Sequence, residues 1–94
     1  MKAYYDSEAN AISIDLLDVD YWDDGGEFDE HYCTVAFAEK RVANIGLLYP
    51  GQKLHLLEAV ADRYHLDAKE LIAVAKAAVA APDRTVTITD PVAA

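Results

Sequence analysis

The stretch His31–Leu48 reads H-Y-C-T-V-A-F-A-E-K-R-V-A-N-I-G-L-L. Cys33, Val35 and Phe37 fall on alternate positions, the period of a strand with one apolar face. Glu39-Lys40-Arg41 interrupts the alternation as a polar hairpin tip, and Val42 to Leu48 returns as a second strand. Gly46 inside that return predicts a bulge or a close approach by another backbone. A hairpin from about His31 to Leu48 therefore anchors a β-sheet.

Working towards the N-terminus, Ala3–Tyr5 and the alternating Ile12, Ile14 and Leu16 supply two more strands. Between them D-S-E-A-N forms a turn, in which Asp6 accepts backbone N–H bonds and Asn10 tolerates the left-handed conformation. Short connections make an antiparallel meander the economical topology. Towards the C-terminus the period changes. Pro50-Gly51 ends the sheet, and Leu54, Leu57, Ala61 and Tyr64 recur at helical spacing. Asp67, with Glu70 three residues on, caps a second helix. Lys69, Glu70 and Lys76 are the only polar residues of that helix, and so broad an apolar surface, centred on Leu71–Val79, points to burial on several sides and to self-association. Pro82-Asp83 stops it, and Thr85–Thr89 alternates as a last strand. The expected fold is α+β: a four-stranded antiparallel β-meander (1–49), an αα-hairpin (52–81) and a short final strand (85–89), all in one domain of 94 residues.

Eight of the sixteen residues from Asp15 to Glu30 are carboxylates, and no lysine or arginine interrupts them. Residues 1–39 carry a net charge of −10 and residues 40–94 a net of +1. Such a surface repels phosphate backbones and accelerates encounter with basic partners, although it also serves solubility. Tyr21 and Trp22 lie within the run, where core duty is least expected. An aromatic pair rimmed by carboxylates suits a basic peptide, and it equally suits a loop folded back on its own sheet. The expected partner-binding residues are Asp18, Asp20, Tyr21, Trp22, Asp23, Asp24 and Glu27.

Other chemistries fit less well. With Asp20 at the first position of a calcium loop, Asp24 and Gly25 fall correctly, but Trp22 and His31 occupy ligand positions and strands replace the flanking helices. A looser divalent site among the loop carboxylates stays open as an alternative. His31 and Cys33 at i and i+2 are expected on one strand face, but no second ligand pair accompanies them. Neither serine sits in a nucleophile elbow, and no glycine-rich phosphate cradle appears. The chain is therefore expected to be no enzyme, with no catalytic residues, no cofactor and no dedicated metal. Val60–Lys76 has the outline of a helix-turn-helix, but its second helix offers Ala, Val, Ile and Leu where base-reading side chains are needed. Nucleic acid is excluded as a partner on that ground and on the net charge of −9. The apolar runs are too short to span a bilayer. The N-terminus lacks a signal-like apolar stretch and a lone cysteine suits a reducing compartment, so the expectation is cytoplasmic, without membrane contact.

Tyr5-Asp6, Asn10, Ala11, Ile12 and Ile14, followed by Val42, Ile45 and Gly46, resemble the motif of a small bacterial family of β-meander domains of unknown function. The likeness covers about half the chain. It implies a four-stranded meander and no catalytic residues, with Asp6 fixing a hairpin and Tyr5 packing the sheet. Some members are thought to act as antitoxins. The chain departs from that pattern in its long acidic segment, Asp18–Glu30, and in its helical region from Gln52 onward. These departures point to a protein-binding module, antitoxin-like in its partner chemistry, that engages a basic protein through its acidic segment. The alternative is a homo-oligomeric structural protein.

Overall fold

A computed structural model of the chain describes residues 1–29 and 31–88; Glu30 and Thr89, included in the expectations above, lie outside them. Six antiparallel strands form one sheet: β1 (Lys2–Asp6), β2 (Ala11–Asp15), β3 (Asp24–Asp29), β4 (Cys33–Ala38), β5 (Arg41–Leu48) and β6 (Thr85–Thr87). Three helices, α1 (Pro50–Lys53), α2 (His55–Tyr64) and α3 (Ala68–Ala80), follow β5. The class is α+β.

The strand order is β3-β4-β5-β2-β1-β6, so the simple four-stranded meander is corrected in two ways. The acidic segment is not all loop. Its second half is β3, an edge strand registered against β4 from Asp24↔Phe37 to Asp29↔Cys33. And β2 pairs with β5, not with β4. Residues 16–23 make this possible by crossing the ends of β5 and β4. Leu16 N–H donates to Ala43 O at 2.8 Å and Asp23 N–H to Phe37 O at 3.0 Å. Ala43 is the extra residue of a bulge, since Ala36 pairs with Asn44 while Phe37 pairs with Val42. The bulge bends β5 where the crossing chain must pass.

The turn between β1 and β2 follows its sequence. Asp6 Oδ1 accepts N–H bonds from Glu8 and Ala9, Asn10 takes φ 51°, and Tyr5 Oη donates to Asn10 Oδ1 at 2.7 Å. The β4–β5 tip is tighter than expected, because Arg41 already pairs with Ala38. Glu39 and Lys40 therefore carry the whole turn at φ 52° and 66°, the signature of a type I′ loop without its usual Asn-Gly. Left-handed non-glycine residues cost about 1–2 kcal/mol each. Asp23 offsets part of this by accepting Glu39 N–H through Oδ2 at 2.9 Å. Glu39→Asn/Lys40→Gly should stabilise the protein by about 1–2 kcal/mol, raising Tm by roughly 4–8 °C per kcal/mol. Differential scanning calorimetry checks this.

The helices cover one face of the sheet. Ile12, Ile14, Cys33, Val35, Ile45 and Leu47 point into the core from the strands, and Leu57, Val60, Leu71, Val74, Ala75 and Ala78 from the helices. Tyr64 of α2 stacks with Phe37 and Phe28 at 5.4 and 6.3 Å, which fastens the acidic edge strand to the helical layer. Asp67 caps α3 as expected, accepting N–H bonds from Lys69 and Glu70. The sheet covers one side of α3, so Lys69, Ala73, Lys76, Val79 and Ala80 are what it presents outward. Pro50 opens α1 instead of merely ending the sheet, and Tyr49 precedes it in the left-handed region.

Asp83, also left-handed at φ 62°, ties the last strand to the first hairpin. Its carboxylate accepts Ser7 N–H at 3.0 Å and Ser7 Oγ–H at 2.7 Å, and its own N–H donates to Tyr5 O at 2.8 Å. The backbone N–H of Ser7, helped by the hydroxyl, holds this carboxyl below the usual aspartate value of 3.8. A carboxyl whose pKa is lowered by folding binds fewer protons folded than unfolded. Its contribution is therefore present above pH 3.8 and fades as pH falls through the lower, folded value. Asp83→Asn keeps a residue tolerant of φ > 0 but removes the charge. Its urea midpoint should lie below that of the parent at pH 7, and the gap should narrow as pH falls below 3.8.

Candidate functional site

The segment from Asp15 to Asp29 divides into three physical roles. Asp15, Asp23, Asp24 and Asp29 are structural acceptors. Asp15 receives Asn44 Nδ2, Asp23 secures the hairpin tip, Asp24 accepts Gly25 N–H, and Asp29 Oδ1 accepts the N–H groups of His31 and Tyr32. Asp18, Asp20 and Glu27 are exposed, and among the described residues none of the three has a hydrogen-bond or ion-pair partner. Tyr21 and Trp22 are 67 % and 55 % exposed. They are not part of the core.

Asp18, Asp20 and Tyr21 come together in an open cleft of about 360 Å³ between the crossing segment and the β4–β5 tip. Glu39 and Arg41 complete its wall with Leu17, Val19 and Ala38. The lining thus includes three acidic residues, Asp18, Asp20 and Glu39, and one arginine, Arg41. Sequence reasoning missed Glu39 and Arg41, which only the two-residue turn and the crossing segment bring to the cleft. Trp22, Asp23, Asp24 and Glu27 do not line it. Asp24 and Glu27 lie on the edge strand, and Glu27 faces away from the helices beside Thr34.

Two nearby cations, Lys53 and Arg63, sit against aromatic rings, whereas Arg41 lines the cleft with the carboxylates. Lys53 Nζ sits 4.3 Å from the centre of the Tyr32 ring, and the Arg63 guanidinium 5.8 Å from that of Tyr64. No family model, curated protein or solved structure matches this chain. What the site does must therefore be argued from its own chemistry.

His31 and Cys33 do not share a strand face. His31 stands exposed in the turn before β4, against Tyr32, while Cys33 is buried in the core. Burial pushes the Cys33 thiol up to about 11, with the charge of Asp29 adding to the effect. A thiol held protonated in this way is a poor nucleophile at neutral pH. Among the described residues no three His, Cys, Asp or Glu side chains gather as a metal-holding group, and no helix is long and apolar enough to cross a membrane. The residues of the helix-turn-helix outline serve the core: Val60, Ala61, Leu71 and Ala75 are buried and Ile72 is half-buried.

Proposed function

We propose that this protein is a non-enzymatic binding module that recognises a basic segment of another protein at the cleft beside the β4–β5 tip. The observation that carries this reading is the exposure of Tyr21 and Trp22, at 67 % and 55 %, beside the unpaired carboxylates of Asp18 and Asp20. An aromatic face attracts an ammonium or guanidinium, and the carboxylates add charge and hydrogen-bond acceptors. The excess negative charge of residues 1–39 steers a cationic partner to this end of the sheet. An antitoxin role is one form of this activity and rests on the resemblance of residues 1–49 alone.

Trp22 is the only tryptophan and follows Tyr21 of the cleft wall in the chain, so its emission reports binding beside the cleft. A capped peptide of alternating lysine and glycine should shift that emission saturably, and more weakly as salt screens the charges. An acidic peptide of equal length should not shift it. Asp18→Lys/Asp20→Lys should lower the affinity at least tenfold, equivalent to about 1.4 kcal/mol, with little change in stability because both positions are exposed. Equal affinity for the two proteins would overturn the proposal. The alternative, self-association through α3, would have to use Ala73, Lys76, Val79 and Ala80, since Leu71, Val74, Ala75 and Ala78 are consumed by the core. Light scattering separates the two readings.

A further inference from the structure

The face of the sheet turned away from the helices carries a second recess, of about 320 Å³, at the end of β4 and β5 remote from the hairpin tip. Its floor is Gly46, flanked across the ladders by Thr34 on β4 and Ser13 on β2. A Cβ at residue 46 would stand 2.7 Å from Thr34 Oγ1, so glycine is what keeps the floor low. Leu48 and Tyr32 give it an apolar side, and Glu27, Asp29 and His31 also line it. Glu27 lies directly opposite Thr34 and, among the described residues, has no partner. Asp29 uses Oδ1 for the N–H groups of His31 and Tyr32, which leaves Oδ2 for something else.

A recess with an apolar floor and two carboxylates in its lining matches an amphipathic side chain, one whose stem lies on hydrocarbon while its head meets acid. We infer that this groove is a specificity pocket for a single arginine of the basic partner, its methylene stem over Gly46 and Leu48 and its guanidinium on Glu27 and Asp29. This inference rests on the reading of the protein as a binder of basic segments, and adds a second contact point with a defined side-chain preference. Arginine is favoured over lysine because the planar fork can engage carboxylate oxygens two at a time. Lys53 already covers the Tyr32 ring, so the incoming cation is directed to the carboxylates and not to that ring. The recess, about 320 Å³, lies at the lower end of the range of small-molecule pockets, about 300–1,000 Å³, and has room for one long side chain.

The test is a ¹H–¹⁵N correlation titration of the intact chain with three capped peptides: Gly-Arg-Gly, Gly-Lys-Gly and Gly-Leu-Gly. The arginine peptide should perturb the amides of Thr34, Gly46 and Leu48, and should bind at least fivefold more tightly than the leucine peptide and measurably more tightly than the lysine peptide. Glu27→Gln, at an exposed position, should weaken the arginine peptide at least fivefold. Thr34→Arg, also exposed, places a guanidinium beside Glu27 from within and should abolish the perturbation. Equal binding of the leucine peptide, or insensitivity to both variants, overturns the inference. If the longer lysine–glycine peptide shifts Trp22 while no peptide perturbs Gly46, the groove fails and the cleft stands. If neither region responds to any cationic peptide, both fail.

Discussion

Ile45→Ala should cost about 2–5 kcal/mol, the range for truncating a large aliphatic side chain in a core that cannot collapse around the gap. Ile45 has no exposed surface. It is paired on one side with Ile14 of β2 and on the other with Val35 of β4, so the cavity would open at the centre of the sheet with branched side chains fixed on both flanks. Domains of this size have about 5–15 kcal/mol of total stability, so the variant should be marginal. A fall in Tm of roughly 8–40 °C is expected at about 4–8 °C per kcal/mol. Ile45→Val removes one methyl group and should cost only about 0.5–1.5 kcal/mol. Val79→Ala, on the outward side of α3, should stay within about 0.5 kcal/mol. Urea unfolding checks the series: the midpoint should move with an unchanged slope. If Ile45→Ala unfolded like Val79→Ala, the placement of β5 between β2 and β4 would be wrong.

How far the sequence reveals this fold follows from which signals are local. Alternation marked β2 and β4, because each turns alternate apolar side chains into the core. Asp6 and Asn10 fixed the first turn through their own side chains, and Asp67 the start of α3. The edge strand β3 escaped because D-G-G-E-F-D has no alternation to read. Exposed at Asp24 through Glu27, it is held by its ladder to β4 and by one inward ring, Phe28. Phe28 alone among acids was the available signal. The pairing of β2 with β5 escaped for a different reason. Neighbouring strands usually pair, and only a segment long enough to cross two strand ends can defeat that preference. Residues 16–23 are that segment. Their length and acidity were legible as a departure from the meander pattern, but their route was not, because it depends on the Ala43 bulge. The candidate site shows the same division. The charge around Tyr21 and Trp22 left their exposure open, and Glu39 and Arg41 reach the cleft only through a two-residue turn built from residues that do not ordinarily form one.

The joint between the β1–β2 hairpin and the β3–β4–β5 meander is where a wrong register would do most harm, and Asn44 sits on it. It is the one buried polar residue among those described, 5 % exposed, on the side of the sheet that carries no helices. Its Nδ2 donates to Ser13 Oγ and to Asp15 Oδ1, both at 2.8 Å. These bonds form when Asp15 is opposite Asn44 and Ser13 opposite Gly46. Slipping β5 by one residue would turn Asn44 into the core and Ile45 out of it, so the amide and the isoleucine enforce the same register. Asn44→Asp preserves the shape while placing a second carboxylate against Asp15. At pH 7 it should cost about 3–5 kcal/mol, the scale for a poorly solvated charge without a partner. Two carboxylates in contact share a proton readily, so the pKa of the pair rises on folding. A group whose folded pKa is raised adds stability below that value, so the variant should recover towards the parent as pH falls. Asn44→Ala, which removes the donor without adding charge, should cost about 1.5–3 kcal/mol, the worth of a hydrogen bond to a charged group, and show no such recovery. Urea midpoints for the three proteins at pH 7 and pH 5 distinguish these outcomes. A pH-independent deficit in Asn44→Asp would mean that Asp15 is not the partner that fixes the joint.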